Sequence, residues 1–493
     1  FTTVSAATSG IGPFTAIYQL AGASRIIGNT IGSPSLNSAI IVTVNTNSNG
    51  VVNAIRYDGT STSKIENNTI GGITVNGTGT NNGTNFYAIN VSVGNVAVKN
   101  NLIGSPSTTN SIQINGTATT NASVLGAINL VSTAAYSDSV LTNSIYHLTN
   151  FNGGTATRIF GISATSGAQY IINTNTIRNL SLTNSTNIGT ASTPAVLGIA
   201  LSTANTQPLT LSGNVIHSLS NAGSGSSAFT TGIYYSGGTN AANLIEKNFI
   251  HSLSPSTGAA ASVIGIQLAG GTTTNVRNNM IRLGIASNGA SITQSHNING
   301  ILQISNTVHN IYFNSIYIGG SGVTGALNTF AYLRNQASHT IATSLRNNIF
   351  VNSRSNGAGT GLHYSIGLPN STAFITSNFN LLYANGNGGA VGLQIATTHT
   401  NLTSWQSSTG FDVNSLSGNP GFLNAIGNAT LVDLHIDIAT PTQVESSGTN
   451  VSIFDDYDND IRFGGGGYAG TGTAVDIGAD EGDFIPQDLT PPF

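Results

Sequence analysis

Ile65-Glu66-Asn67-Asn68-Thr69-Ile70 carries the pattern that decides the architecture: an apolar residue, two variable positions, an asparagine, one further position and a second apolar residue. The phrase returns at residues 98–103 around Asn101, 172–177 around Asn175, 211–216 around Asn214 and 245–250 around Asn248. It continues at 276–281 around Asn279, 311–316 around Asn314 and 345–350 around Asn348. A second phrase, a small residue followed by a large apolar one, alternates with the first. It reads Ala16-Ile17, Ala54-Ile55, Ala88-Ile89, Ala127-Ile128, Gly161-Ile162 and Gly198-Ile199, then Gly232-Ile233, Gly265-Ile266, Gly300-Ile301, Ala331-Tyr332, Gly361-Leu362 and Gly392-Leu393. From Ala16 to Gly392 the spacing averages about 34 residues, a period that marks stacked repeats.

Around these phrases lie short alternating stretches rich in β-branched and aromatic residues, such as 39–44, 86–93, 231–235 and 263–268, which is the signature of strands. Clusters of Gly, Asn and Ser at 76–85, 223–227 and 319–322 read as loops of unequal length. A helical solenoid is excluded by the lack of helix-forming segments, and a propeller blade would demand tight hairpins within each repeat. A parallel β-helix of about 12 coils accounts for more, because each strand pairs with its equivalent one repeat away and loops of any length leave at the corners. In that geometry the asparagines form a structural column: Asn68, Asn101, Asn175, Asn214, Asn248, Asn279, Asn314 and Asn348. Asn tolerates the positive φ of a corner, and stacked Asn side chains hydrogen-bond along the axis.

Of the 493 residues, 39% are apolar and only 6% charged, so Asn, Thr, Ser and Gly carry the polarity and long helices are disfavoured. The net charge of -4 hides an asymmetry. Residues 1–411 hold four acids, Asp58, Glu66, Asp138 and Glu246, against twelve bases, whereas residues 412–493 hold thirteen acids and one base, Arg462. The basic excess is spread too thinly for nucleic-acid binding. No apolar run approaches the roughly 20 residues of a membrane span. With no cysteine, disulfides contribute nothing to the fold.

The coils resemble the right-handed parallel β-helix repeats of large secreted and cell-surface bacterial proteins, including polysaccharide-binding and polysaccharide-cleaving ones. The tail carries the sharper likeness: Trp405, Gly410-Phe411-Asp412, Ser415, Asn419-Pro420-Gly421-Phe422, Asp433-Leu434-His435-Ile436, residues 455–462 and Asp476-Ile477-Gly478-Ala479-Asp480-Glu481 look like the segment that closes such modules. Asn459-Asp460 before Ile461-Arg462 departs from the usual Asp-Gly-x-x-Arg wording. The resemblance implies an all-β, right-handed, single-stranded parallel β-helix with a C-terminal cap, similar to cargo of the type IX secretion machinery and located extracellularly or at the cell surface. The expected division is repeats over 1–400, a capping segment over 401–484 and a proline-rich linker over 485–493, which looks like the entry to a further domain of the same polypeptide.

A non-catalytic structural or adhesive module is the expected function, with a β-helix polysaccharide lyase or glycoside hydrolase and a passenger of a secretion machine as alternatives. No catalytic residue is assigned. A glycosidase needs two carboxyl groups within reach of one sugar, and Asp58 and Glu66 are the only body acids near each other in sequence. Asp58, before Gly59, reads as a turn residue, and Glu66 as the partner of Lys64. Tyr234, Tyr235, Tyr312 and Tyr317 are candidate contacts for carbohydrate, and His217 and His251 hold equivalent repeat positions. Asp456, Asp458 and Asp460 space oxygen ligands as a structural Ca²⁺ would need, without the Gly and Glu that complete an EF-hand loop.

Overall fold

A computed structural model of the chain describes residues 2–5, 14–44, 50–77, 83–116, 123–133, 135–240, 242–336 and 340–487. Part of the 76–85 loop and residues 488–493 of the expected linker lie outside the described residues. The protein is a parallel β-solenoid of about 10 turns with one short helix near its C-terminus. It divides into two compact units, one of residues 1–240 with 253–269 and one of residues 241–252 with 270–493.

Each coil of the first unit has three faces. In the coil that contains the opening phrase, Gly50–Tyr57 forms the first face, Ser63–Glu66 the second, and Thr69–Gly71 with Ile73–Gly77 the third. Neighbouring coils pair in parallel and in register, so like residues stack. Ile55, Ile89, Ile128, Ile162, Ile199, Ile233 and Ile266 form one column on the first face. Ile65, Val98, Val140, Ile172 and Leu211 form another on the second. Ile70, Ile103, Ile145, Ile177 and Ile216 stack on the third. These columns meet in an interior where the side chains are fully buried. The small residue of the second phrase makes room for the third face: a Cβ on Gly198 would lie 2.6 Å from Ile216 Cγ2.

The corner between the second and third faces holds the asparagine ladder. Asn68 Nδ2 donates to Asn101 Oδ1 at 2.9 Å, Asn101 to Asn143 at 2.9 Å, Asn143 to Asn175 at 3.0 Å and Asn175 to Asn214 at 3.0 Å. The backbone N–H of each of these donors reaches the same oxygen, as from Asn68 to Asn101 Oδ1 at 3.0 Å. The left-handed backbone of the corner belongs to the preceding residue, not to the ladder Asn: Asn67, Asn100, Thr142 and Thr174 have φ of 57°, 53°, 54° and 55°. A column asparagine is therefore required for its amide, which closes a buried polar corner, while the positive φ falls on a neighbour that is sometimes a poor left-handed residue.

The second unit repeats the plan. Asn248, Asn279, Asn314, Asn348 and Asn380 continue as a ladder of amide pairs between 2.9 and 3.0 Å. On the first face Ile301 pairs with Tyr332, Tyr332 with Ile366 and Ile366 with Gly392. Two readings are corrected here. Gly361-Leu362 precedes the strand His363–Leu368, and the equivalent pair is Ser365-Ile366. Gly392-Leu393 opens no coil: the strand Gly389–Gln394 is followed by an antiparallel strand, Thr397–His399, and the helix Leu402–Thr409. The turns number about 10, against about 12 read from the sequence.

Gly392 stands where isoleucine is expected because Trp405 fills the site. A Cβ there would come within 2.2 Å of the indole Cε3. Asn401 caps the helix, accepting the Ser404 N–H, and Gly410 ends it at φ 73°. Trp405 is fully buried and donates its indole N–H to Asp412 Oδ2 at 2.9 Å. Asp412 Oδ1 also accepts from Asn380 Nδ2 at 3.1 Å, and Ser415 Oγ accepts the Asn380 N–H at 2.8 Å, so the ladder ends on these two side chains.

Candidate functional site: the acid-rich closing segment

The four acids of the coils are tied down. Arg56 Nη2 lies 2.8 Å from Asp58 Oδ2, and the Tyr18 hydroxyl donates to the same oxygen at 2.9 Å. Burial would raise the Asp58 carboxyl, yet hydrogen bonds from Arg56, Ser92 and Tyr18 carry it below its ordinary value. Glu66 faces Lys64 at 3.8 Å. Glu246 accepts from Arg277 Nε at 2.8 Å. Asp138 is buried, accepts the Val96 N–H at 2.8 Å and the Ser132 hydroxyl at 2.5 Å, and burial raises its carboxyl to about 6.

The tyrosines divide by burial. Tyr235 is fully buried, and Tyr234, 7% exposed, packs with Phe160, Leu197 and Ala200. Tyr317 is covered by Phe422 of the closing segment, edge-on at 6.3 Å between ring centroids. Tyr312 is half-buried beside a depression of about 480 Å³ that it shares with Asn275, Arg277 and Asn310. The Asn310 amide donates to Asn275 Oδ1 at 2.9 Å. His217 is held near its own Ser218 hydroxyl at 2.9 Å, and burial followed by the Arg178 charge lowers it to about 4, a neutral ring. His251 is buried, 4.4 Å from the Phe249 ring centroid.

Residues 440–486 contain no helix or extended strand, so several of their backbone N–H groups lack backbone partners. Carboxylates take that place. Asp456 Oδ1 accepts the N–H groups of Asp458 and Asp460 at 2.9 and 2.8 Å, and its Oδ2 that of Glu481 at 3.1 Å. Asp476 accepts from Ser446 N at 2.6 Å and Gly482 N at 3.0 Å. Glu481 accepts from Phe463 N and Asp476 N at 2.9 Å each and from Arg462 Nη1 at 3.0 Å. Burial and then the Glu481 charge push the Asp476 carboxyl up. Arg462, fully buried, also donates to Gly478 O, Asn278 Oδ1 and Asp455 O and lies 4.0 Å from the Phe313 ring centroid. The Asp476–Glu481 motif and Arg462 thus knit an irregular segment onto the coils of the second unit.

Of the three aspartates read as Ca²⁺ ligands, Asp456 turns its oxygens onto backbone amides, while Asp458 faces a histidine that the sequence reading did not single out. His435 Nδ1 lies 2.6 Å from Asp433 Oδ1, and Nε2 lies 2.7 Å from Asp458 Oδ2. Ligand atoms of His435, Asp458 and Asp480 all fall within 4.8 Å of one another. Asp480 is 8% exposed and accepts the Ile436 N–H through Oδ2 at 2.7 Å. Burial raises its carboxyl to about 6, against the Ile436 hydrogen bond and the His435 charge. Burial opposes charging of His435, but the Asp433 hydrogen bond and the charges of Asp480, Asp458 and Asp433 lift it above its ordinary value. Tyr457 stands edge-on to the ring at 5.6 Å, and Leu434, Ala479 and Met280 form an apolar floor nearby.

Sequence reasoning also missed Asn29, Asn143 and Asn380 of the ladder. Asn29 and Asn143 sit in the same phrase, at 26–31 and 140–145, and could have been found; Asn380 could not, because Ser377 takes the place of the leading apolar residue. Three buried arginines left no signal. Arg282, Arg334 and Arg354 donate to loop carbonyls, Arg334 to those of Ser371, Ala373 and Phe374.

Comparison of the chain with protein families, with curated proteins and with solved structures finds no match. Among the described residues no helix is long and apolar enough to cross a membrane.

Proposed function

We propose that the chain is a non-catalytic structural and adhesive module of a secreted or cell-surface protein. One observation carries this reading: all four acids of residues 1–411 are engaged in ion pairs or buried against internal donors, so among the described residues of the coils no pair of carboxylates is free to act on a sugar. A lyase or hydrolase would need such a pair with a base in reach. The secreted or surface setting rests on the likeness of the coils and of the closing segment to modules of that kind.

Carbohydrate is the proposed ligand, and the depression beside Tyr312 is its proposed seat. An aromatic ring offers its face to the apolar side of a sugar, while Asn275, Asn310 and Arg277 bring amide and guanidinium donors to the hydroxyls. A glycan array probed with the whole chain and with Tyr312→Ala tests the reading. Binding to a restricted set of glycans that falls at least tenfold in the variant is expected. Depolymerisation of a polysaccharide, abolished by Asp58→Ala, would overturn the non-catalytic assignment.

A further inference from the structure

We infer that His435, Asp458 and Asp480 form a binding site for one divalent transition-metal ion of the Zn²⁺ type, with Asp433 as the residue that orients the histidine. The site differs from an oxygen-only Ca²⁺ loop in its residues and its chemistry, and it stands independently of the carbohydrate reading.

Three features point to a metal. First, the histidine is already arranged as a ligand. In metal sites a carboxylate commonly accepts the N–H of one ring nitrogen, which fixes the tautomer and leaves the other nitrogen's lone pair for the ion. Asp433 Oδ1, 2.6 Å from Nδ1, is placed for that task, and Nε2 then faces Asp458 and Asp480. Second, Asp480 is more than nine-tenths buried and its Oδ2 accepts the Ile436 N–H at 2.7 Å, which fixes the carboxylate with a ligand oxygen inside the cluster. A buried carboxylate is costly unless a cation or donors meet it. Third, the shell suits an ion. Tyr457 stands edge-on to the His435 ring and packs on the apolar cluster of Leu434, Ala479 and Met280, while Asp458 lies toward solvent.

The adjustment needed at Asp458 is small. An ion bound at about 2.0–2.1 Å to two tetrahedral ligands separates them by roughly 3.3 Å, so Asp458 Oδ2 must retreat from its 2.7 Å contact with Nε2 by about 0.6 Å. The Asp458 side chain is 48% exposed and can make that shift without disturbing the fold, whereas Asp480 is held by Ile436. Water completes the coordination on the open side. The nitrogen ligand favours Zn²⁺ over Ca²⁺, which takes six to eight oxygens.

Titration of the whole chain with Zn²⁺, followed by calorimetry after chelator treatment, tests the assignment. Uptake of one ion per chain is expected, weakened at least tenfold by His435→Gln and by Asp480→Asn, the latter keeping an oxygen for the Ile436 N–H. Asp433→Asn touches no ion in this scheme and should still weaken uptake by about ten- to a hundredfold. His147→Gln, in the strand Ser144–Asn150 of the coils, should leave it unchanged, and Ca²⁺ should bind at least tenfold more weakly than Zn²⁺. Circular dichroism of the metal-free variants checks that they fold. Should any variant fail that check, anomalous diffraction at the zinc edge from the wild-type protein decides: a peak beside His435 Nε2 supports the site, and a peak elsewhere overturns it. Absence of stoichiometric Zn²⁺ uptake, uptake indifferent to His435→Gln and Asp480→Asn, or Ca²⁺ binding as tight as Zn²⁺ would each overturn it too.

Discussion

Asn175→Ala offers the sharpest test of how the coils are held together. The wild-type side chain is fully buried. Its Nδ2 donates to Val140 O at 2.9 Å, Asn173 O at 3.1 Å and Asn214 Oδ1 at 3.0 Å, and its Oδ1 accepts the Asn143 N–H at 2.9 Å and Asn143 Nδ2 at 3.0 Å. Truncation leaves the Asn143 N–H buried with its acceptor gone, a penalty of about 1–3 kcal/mol. Asn143 Nδ2 keeps Val98 O, and Asn214 Oδ1 keeps the Asn175 N–H, so the other lost bonds count at the net value of about 1 kcal/mol each. With the small void left behind, the total is about 3–5 kcal/mol. Asn90→Ala is the matched control: Asn90 also joins an amide row, between Asn53 and Asn129 at 3.0 and 2.9 Å, but it is half-exposed and water can replace its partners. Urea unfolding followed by circular dichroism should show a loss of about 3–5 kcal/mol for Asn175→Ala and about 1 kcal/mol or less for Asn90→Ala. Equal losses, or a loss below about 1 kcal/mol at Asn175, would refute the view that the buried ladder is the stabilising device.

Thr174 is an exposed β-branched residue at φ 55°, where the next coil uses Gly213 at φ 63°; Thr174→Gly should raise stability by about 1 kcal/mol in the same urea assay, since relief of the left-handed strain exceeds the added chain entropy. Arg462→Leu strands the buried Glu481 carboxylate and should cost about 3–5 kcal/mol, with hydrogen exchange accelerating in residues 455–482 well before the coils of residues 14–240. Asp138→Asn should be pH-selective. The folded-state carboxyl of Asp138 is raised to about 6, so between about pH 4 and pH 6 the unfolded chain ionises first and wild-type stability falls as pH rises, with the full penalty present above pH 6. Relative to wild type, the variant should therefore gain up to about 3 kcal/mol more at pH 7 than at pH 4, read from urea midpoints at the two pH values; an identical difference at both would count against a buried, proton-bound Asp138.

What the sequence by itself determined is whatever a periodic environment repeats. An isoleucine at position 55 meets the same neighbours as one at position 89 or 128, so the apolar columns, a coil of two or three strands and eight of the ladder positions were legible from spacing alone. The same logic misled at the end of the stack, where Gly392 looked like one more small residue before an apolar one and is instead the gap into which Trp405 inserts. Spacing could not reveal that the left-handed residue is the neighbour of each ladder Asn, since Asn67-Asn68 offers two candidates and only the hydrogen-bonded register separates them. The closing segment was legible as an excess of acid and as a likeness to segments that close such modules, but its contacts were not. Its residues do not repeat, and their roles come from contacts between distant positions: Arg462 with Glu481 and Asn278, and His435 with Asp458 and Asp480. Irregular backbone leaves N–H groups to satisfy in three dimensions, and which carboxylate meets which amide, or is left over for an ion, is decided only when the chain has folded back on itself.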